Sequence, residues 1–324
     1  MVDGYDIILF NEFFTELGPA DFDIDFEIGD SEALNNFELT TNEQSIYGLY
    51  IPHTELGGVI EYTSQISMDN KITYRGWTWR GLLSQVIVTP PEGEDYKIVS
   101  GEANAILTEM LSGVLGGFFH VPATDSGCNI DSYQFTLYTT LLDGLMDMLL
   151  TQNYRLNIHA EKDAPGGSVQ VWVEAVPATI IEGYFNEDSG LDMTYINNQM
   201  GINHLICMGS GELQERMRVD LYVAKNGRIV RTPYYTGFDE RQQYYDFPNA
   251  QSEQELVRYG TQRLKEVKSS KRLEVSAPTE TALEVGDIVI GRLGTGSTAS
   301  SAPIVRKILK ITGTGDSVEY QTKE

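Results

Sequence analysis

Asp21-Phe22-Asp23-Ile24-Asp25-Phe26-Glu27-Ile28 alternates an acid with an apolar side chain through eight positions. That is the period of a half-buried strand, whose successive side chains point to opposite faces. One face is therefore expected to enter a core while the other is wholly anionic. Calcium loops also space acids by two, but they need a glycine near the sixth position and a downstream glutamate, and here the intervening residues are large and apolar. Carboxylates in a row repel one another, so Asp21, Asp23, Asp25 and Glu27 are expected to face water or an aqueous passage.

Strand-like runs continue at 45–52, 58–68, 71–77 and 82–89, the last ending at Pro90-Pro91, with short turns such as Asp69-Asn70 between them. Residues 1–91 thus read as a compact β-barrel or sandwich. Helical spacing then appears at 101–115, with Ser100 and Glu102 at its start and Gly116-Gly117 at its end, and again at 139–152, where Leu141, Leu142, Leu145, Met148 and Leu149 form a wide apolar face. Strands follow at 154–160 and 169–176. Residues 92–190 read as an α/β domain.

Further extended runs lie at 203–208 and 215–223, and Lys225-Asn226-Gly227-Arg228 holds the Asn-Gly pair favoured in two-residue hairpins. A long helix is predicted over 252–271, with Glu253 and Glu255 in its first turn and Lys265, Lys268 and Lys271 near its end, as the helix dipole favours. Strands at 273–275, 287–293, 304–311 and 318–322 complete a fold of the α+β class dominated by β structure. No repeat period is visible.

The 324 residues are 41% hydrophobic and 22% charged, an ordinary globular composition. No run approaches the ~18 apolar residues of a membrane helix, and the N-terminus lacks the pattern of a signal peptide. Cys128 and Cys207 are too few for a disulfide framework and read as buried thiols in a reduced cytoplasm. The net charge of −24 is uneven: residues 1–70 hold 15 acids and no Lys or Arg, leaving −9 for the other 254. Such a surface repels polyanions and disfavours tight binding to nucleic acid or anionic membrane.

Motifs for chemistry are weak. Gly291, Gly294 and Gly296 with Ser297 lack the lysine of a phosphate loop, and Gly209-Ser210-Gly211 lacks the setting of a nucleophile elbow. His53, His120, His159 and His204 are too far apart in sequence to form a zinc pair on one helix. Among 47 acids a carboxylate pair for glycoside cleavage is not diagnostic, though a peptidoglycan hydrolase stays open as an alternative. Trp77, Trp79 and Trp172 with 18 tyrosines also leave open a carbohydrate-binding adhesin, but aromatics in strands more often serve core or interface. No cofactor and no metal site is implied.

Tyr74-Arg75-Gly76-Trp77-Thr78-Trp79-Arg80-Gly81-Leu82-Leu83-Ser84-Gln85-Val86-Ile87-Val88-Thr89-Pro90-Pro91, with the helix entry from Tyr96 to Leu111, resembles the tail-associated hub proteins of long-tailed phages and prophages. These carry a Gly-x4-Gly-Leu-Leu turn that closes the first barrel, then a strand, a proline pair and a helix. The order of later features is similar too: the helix near Leu141, the run Asn203-His204-Leu205-Ile206-Cys207-Met208-Gly209-Ser210-Gly211, and Glu284-Val285-Gly286-Asp287 before the last strands.

The resemblance implies a homotrimeric ring at the tip of the tail, in which two barrel-like domains per subunit meet a sixfold tube. The second barrel would be discontinuous, from 191–233 and 273–324, with 234–272 inserted as a helical segment. Implied partners are a distal tail ring protein, the tail tube and tape-measure protein, receptor-binding or fibre proteins, and passing DNA that is not held tightly. The chain itself would not insert into a membrane, and it would be made in the host cytoplasm and reside at the virion tail tip. Many relatives continue into a peptidase or fibre extension, whereas this chain stops at Glu324, which points to a non-enzymatic structural part. On this reading some of Asp21, Asp23, Asp25 and Glu27 line the channel, and Trp77, Trp79 and Leu82 either close the barrel or form the subunit contact.

Overall fold

A computed structural model of the chain describes residues 6–19, 22–65, 71–162, 167–184, 192–198, 200–250, 252–277, 283–292, 300–312 and 315–322. The chain forms two compact units, one of Met1–Met193 with Glu274–Lys323 and one of Thr194–Leu273.

The first unit opens with β1 (Ile8–Phe10), β2 (Glu16–Pro19), β3 (Phe22–Gly29), β4 (Asn36–Thr41), β5 (Gly48–Tyr50), β6 (Gly57–Gln65) and β7 (Ile72–Thr78), then the short helix α1 (Trp79–Ser84). It continues with β8 (Ile98–Glu102), α2 (Ala103–Leu111), β9 (Phe119–His120), β10 (Asn129–Gln134), α3 (Leu141–Leu150), β11 (Tyr154–Lys162), β12 (Val169–Pro177) and β13 (Ile180–Tyr184). Along β14 (Asp192–Asn198) the chain passes into the second unit, which holds β15 (His204–Met208), β16 (Arg218–Val223), β17 (Ile229–Val230), β18 (Gln242–Asp246) and α4 (Glu253–Val267). It returns along β19 (Ser270–Ala277) and ends with β20 (Ile288–Arg292), β21 (Ser300–Thr312) and β22 (Gly315–Thr322).

The alternating stretch does form a strand, with Ile24, Phe26 and Ile28 buried and Asp23, Asp25 and Glu27 half-buried on the other face. Its neighbours differ from the expectation of a barrel closed within residues 1–91. β3 pairs on one side with β4 and on the other with β21, more than 270 residues later in the chain. One curled sheet runs in the order β19-β22-β21-β3-β4-β7-β6-β5-β1-β2. The C-terminal strands therefore do not form a second barrel with β15 and β16, which lie instead in a four-stranded sheet ordered β17-β16-β15-β18. Periodicity tells which face of a strand is buried, but not which strand lies beside it.

A second difference lies at 82–89, where a strand was expected. Thr78 caps α1 instead: its hydroxyl accepts from the Gly81 N–H at 3.2 Å and donates to the Asn35 carbonyl at 2.9 Å. The rest of that run makes a single bridge, Ile87 to Thr140. Trp79, wholly buried, stacks 6.4 Å from Phe10 and lies 5.8 Å from Phe118. These rings join a core continued by α2, α3 and the three-stranded sheet β11-β12-β9.

The other helices follow their sequence signals. Glu102 caps α2 by accepting from Asn104 N and Ala105 N, and Thr140 caps α3 by accepting from Asp143 N. Ser252 caps α4, which lays Leu256 and Leu264 onto Leu205, Cys207 and Leu221. The Asn226-Gly227 turn joins β16 to β17, with Gly227 at φ 79°. Both cysteines are buried free thiols.

Gly81 is needed for close approach. A β-carbon there would lie 2.3 Å from the Asn35 carbonyl oxygen and 3.2 Å from the Trp77 ring. Gly81→Ala is therefore expected to destabilise the protein by about 1–3 kcal/mol through overpacking. It should lower the urea midpoint at constant slope, and an unchanged midpoint would contradict the packing of this turn.

Candidate functional site

The face of β3 that carries the acids is a surface of paired charges. Asp25 stands opposite Lys310 of β21 and Glu38 of β4, and Glu38 stands opposite Arg75 of β7. The register places four charged residues in one row across four strands. Lys310 Nζ lies 3.1 Å from Asp25, and Arg75 Nε donates to Glu38 at 2.7 Å. One step along β3, Lys71 reaches Asp23 at 3.7 Å. In the other direction Glu27 accepts from Arg306 Nε at 2.8 Å and from the Leu34 N–H at 2.8 Å, and it also meets Arg306 Nη2.

The expectation of a wholly anionic face is corrected by these contacts. Asp23, Asp25, Glu27 and Glu38 are matched by Lys71, Lys310, Arg306 and Arg75, all of them later in the chain than any acid of the row. Asp21 lies outside the described residues. Exposed pairs of this kind contribute only about 0.2–1 kcal/mol each, so the row sets local charge more than stability.

Trp77 belongs to the same face, opposite Asn36 and two residues beyond the Glu38–Arg75 pair, where its half-buried ring covers Gly81. Trp79 and Leu82 lie elsewhere: Trp79 has no exposed surface, and Leu82 packs partly buried against the same core. The structure thus brings Trp77 to the acids and separates it from the other two.

A set of functional-looking residues not foreseen from sequence sits beneath this sheet, on the core side. Arg80, 1% exposed, donates from Nε to Glu55 at 2.8 Å and from Nη2 to the Leu156 carbonyl at 3.1 Å, while Nη1 reaches Met146 Sδ. Lys307, on the buried face of β21, donates to both oxygens of Glu284 at 2.9 Å and lies 5.9 Å from the Tyr320 ring centre. Arg155 lies 3.0 Å from Asp287, which also accepts from the N–H groups of Thr179 and Glu284. Arg80, between Trp79 and the apolar run after Gly81, carried a sequence signal, because such charges are rarely buried without a partner; Lys307 beside Arg306, and Arg155 between Tyr154 and Leu156, carried none.

These three cations and three carboxylates could be mistaken for a catalytic cluster. Their contacts instead run to one another and to the backbone, with Glu55 Oε1 and Arg155 Nε making no hydrogen bond. Among the described residues no group of three His, Cys, Asp or Glu side chains is placed to hold a metal ion. No described helix is long and apolar enough to cross a membrane.

Strand order and the end-to-end course of the chain permit comparison with solved structures. The fold is that of a phage baseplate protein. A chain of the phage P2 baseplate, solved in its activated conformation with calcium, matches with a TM-score of 0.50 at 11% identity, over 98% of this chain and 98% of its own. A prophage tail protein of Listeria monocytogenes EGD-e matches at 14% identity over 98% and 94%, with a TM-score of 0.47. A tail protein of Neisseria meningitidis MC58 matches at 10% identity over 99% and 97%, also at 0.47. No family model matches the sequence, and no curated protein matches it.

Removing one member of a buried pair leaves the other charge uncompensated, at a cost of about 3–5 kcal/mol, whereas replacing both by apolar residues is often near neutral. Arg80→Met is accordingly expected to destabilise far more than Arg80→Met with Glu55→Leu, as read by denaturant midpoints of the two variants. Equal losses would mean that the guanidinium acts through packing alone.

Burial pushes the Glu284 carboxyl above its ordinary value of 4.5, helped by Glu55 and opposed by Lys307 and Arg155. A carboxyl with a higher pKa when folded binds its proton more tightly in the folded state. Its contribution to stability is whole below 4.5 and is lost as pH rises through the folded value. Glu284→Gln should remove this alkaline-side decline from a stability profile, and an unaltered slope would contradict it.

Proposed function

We propose that this chain is a structural hub at the distal end of a phage or phage-like tail. Three copies form a ring that closes the tail tube, joins it to a distal tail ring protein and to receptor-binding or fibre proteins, meets the tape-measure protein, and opens for DNA. The reading gives the chain no catalytic role and places it at the virion tail tip. The observation that carries it is the likeness to a baseplate chain over 98% of both lengths, supported by the hub-like order of motifs along the sequence.

The paired face of β3 and β4 suits a surface past which DNA must slide. Duplex DNA binds through release of condensed counterions by Lys and Arg. On this face each cation lies against a carboxylate, so phosphates meet little net positive charge. We assign Asp23, Asp25 and Glu27 to the lining on that basis, with Trp77 beside them. Enclosed Trp79, with Leu82, is assigned to closing the first unit rather than to the subunit contact.

In light scattering, alone or with the neighbouring tail proteins, the purified chain should reach three times its 36.2 kDa mass, with rings in negative stain. A monomer under both conditions would refute the ring. Asp23→Lys with Asp25→Lys should make particles retain DNA in a salt-sensitive way, steepest between about 50 and 200 mM salt. Ejection identical to the parent at every salt concentration would remove these positions from the lining. Release of fragments from purified cell wall would favour the hydrolase reading instead, and glycan binding by the monomer would favour the adhesin.

A further inference from the structure

The net charge of −24 is divided unequally between the two units. Thr194–Leu273 holds 12 Lys and Arg against 9 acids, a surplus of +3, while the remaining 244 residues hold 11 against 38. The first unit is thus strongly anionic and the second carries the opposite sign. A surface of one sign attracts the opposite sign across about a Debye length and repels its own copy.

On the first unit the acids surround exposed apolar side chains. Residues 81–153 contain nine acids and one cation, Lys97, which Glu109 takes up. Backbone hydrogen bonds gather this stretch: Val88 N–H to the Thr139 carbonyl at 2.9 Å, Leu141 N–H to the Val86 carbonyl at 2.7 Å, and Phe135 N–H to the Lys97 carbonyl at 2.9 Å. They bring Ile87, Tyr96, Ile98, Leu137 and Tyr138 to one surface, each between 37% and 60% exposed. Leu137 and Tyr138 form the tip of a turn closed by the Thr139 N–H on the Thr136 carbonyl at 3.2 Å. Tyr138 is held there at φ 57°, a left-handed conformation that is costly for an aromatic residue. Glu92, Glu94 and Asp95, all exposed, come just before Tyr96 and meet no cation among the described residues. Large exposed apolar groups within a polar rim mark an interaction surface.

The second unit gathers cations at one end, where Asn203 fastens two loops. Its carbonyl accepts from the Val223 N–H at 2.9 Å, just ahead of the Lys225–Arg228 turn. Its side chain binds the Asp239 carbonyl and the Arg241 N–H, both at 2.8 Å, in the connection between β17 and β18. Lys225 and Arg228 are exposed and meet no carboxylate among the described residues. Arg241 gives hydrogen bonds to the carbonyls of Phe238 and Glu240, and it lies 5.4 Å from the centre of the Phe238 ring, which is 89% exposed. Of the acids in that connection Glu240 meets His204, which leaves Asp239 against three cations. This end therefore offers positive charge around an aromatic anchor, the complement of the acids around Leu137 and Tyr138.

We propose that the end of the second unit bearing Lys225, Arg228, Phe238 and Arg241 docks on the Leu137 and Tyr138 surface of a second copy, where Glu92, Glu94 and Asp95 receive the cations. An apolar centre with Arg and aromatic anchors inside a charged rim is the composition of a specific protein contact. The two surfaces differ, so the contact is heterologous: each copy donates one and offers the other to the next. Repeated, it closes a ring if the rotation between copies divides a full turn, and runs on as a filament if it does not. The number three rests on the ring proposed above, whereas the contact itself rests on the two surfaces.

Sedimentation equilibrium of the full chain, alone and with the neighbouring tail proteins, tests the contact by charge reversal. The parent should self-associate about tenfold more weakly at about 500 mM than at about 50 mM salt. Lys225→Glu with Arg228→Glu and Arg241→Glu should weaken association by about a hundredfold, and so should Glu92→Lys with Glu94→Lys and Asp95→Lys. All six changes in one chain should restore association, which a misfolded variant could not do. Failure of the six changes to restore it would overturn the pairing of these surfaces. Parent trimers that neither reversed chain disturbs would overturn the contact and leave the ring standing. Association with the expected charge dependence that stops at two copies, or grows into filaments, would uphold the contact and refute the ring of three. A parent that stays monomeric under every condition would overturn both.

Discussion

The first seventy residues contain no cation to pair with their own acids, so every ion pair those acids make joins them to a later part of the chain. Among the described residues, Glu16 meets Lys162, Asp23 meets Lys71, Asp25 meets Lys310, Glu27 meets Arg306, Glu38 meets Arg75 and Glu55 meets Arg80. Every partner comes from farther along the chain, some from its last twenty residues. Charge imbalance that looks in the sequence like an anionic surface becomes, in the structure, a set of ties between the early strands and everything that follows. β3 completes its charged face with the C-terminal strands: two of its three described acids meet cations of β21.

The ties differ in what they do. Those on the open face of the sheet are half-exposed, and water screens much of their attraction. Those beneath it are enclosed, where the desolvation of each ion is large and is offset only by a well-placed partner. Arg80 shows the consequence. Its helix has six residues and its place is fixed by Thr78, Asn35 and the approach of Gly81, so the guanidinium meets Glu55 and the Leu156 carbonyl without rearrangement. One short turn thereby joins the N-terminal sheet to α3 and β11. Lys307 does the same for the C-terminal strands, since it lies on the core face of the strand whose other face carries Arg306 and Lys310.

Local features were legible in sequence wherever one residue type has one physical reason to be where it is. The acid and apolar alternation of β3, the helix start at Glu102, the apolar face of α3, the Asn226-Gly227 turn and the charge gradient of α4 are of this kind. Long-range pairing was not legible: nothing in the pattern of Ile304 to Ile311 states that its neighbour is Phe22–Gly29 rather than another alternating strand. The helix at Trp79 was hidden because Leu82 to Val88 also satisfies a strand pattern, and the deciding group is a single threonine hydroxyl one residue before the helix. Of the candidate site, the carboxylates were visible and their partners were not, since a Lys at position 310 carries no mark of an Asp at position 25. The overlap of Trp77 with the acid-bearing face follows only from register.

Most ionic contacts in this molecule use Lys or Arg, whose charge is constant over the pH range in which proteins work. Those contacts suit positions that must never let go: an arginine at Arg80 cannot shed its proton, so the turn it anchors cannot open that way. Between Asp220 and Glu240 the bridging side chain is His204, whose Nε2 and Nδ1 meet one carboxylate each. Geometry alone would admit a lysine, which also donates to two carboxylates. A lysine, however, has no ring to stack on Tyr222, whose centre lies 4.2 Å from that of His204. The choice of side chain therefore separates two kinds of connection in one chain: ties that complete the sheet across great sequence distance, and a local one in which a planar ring joins β16 to the connection before β18.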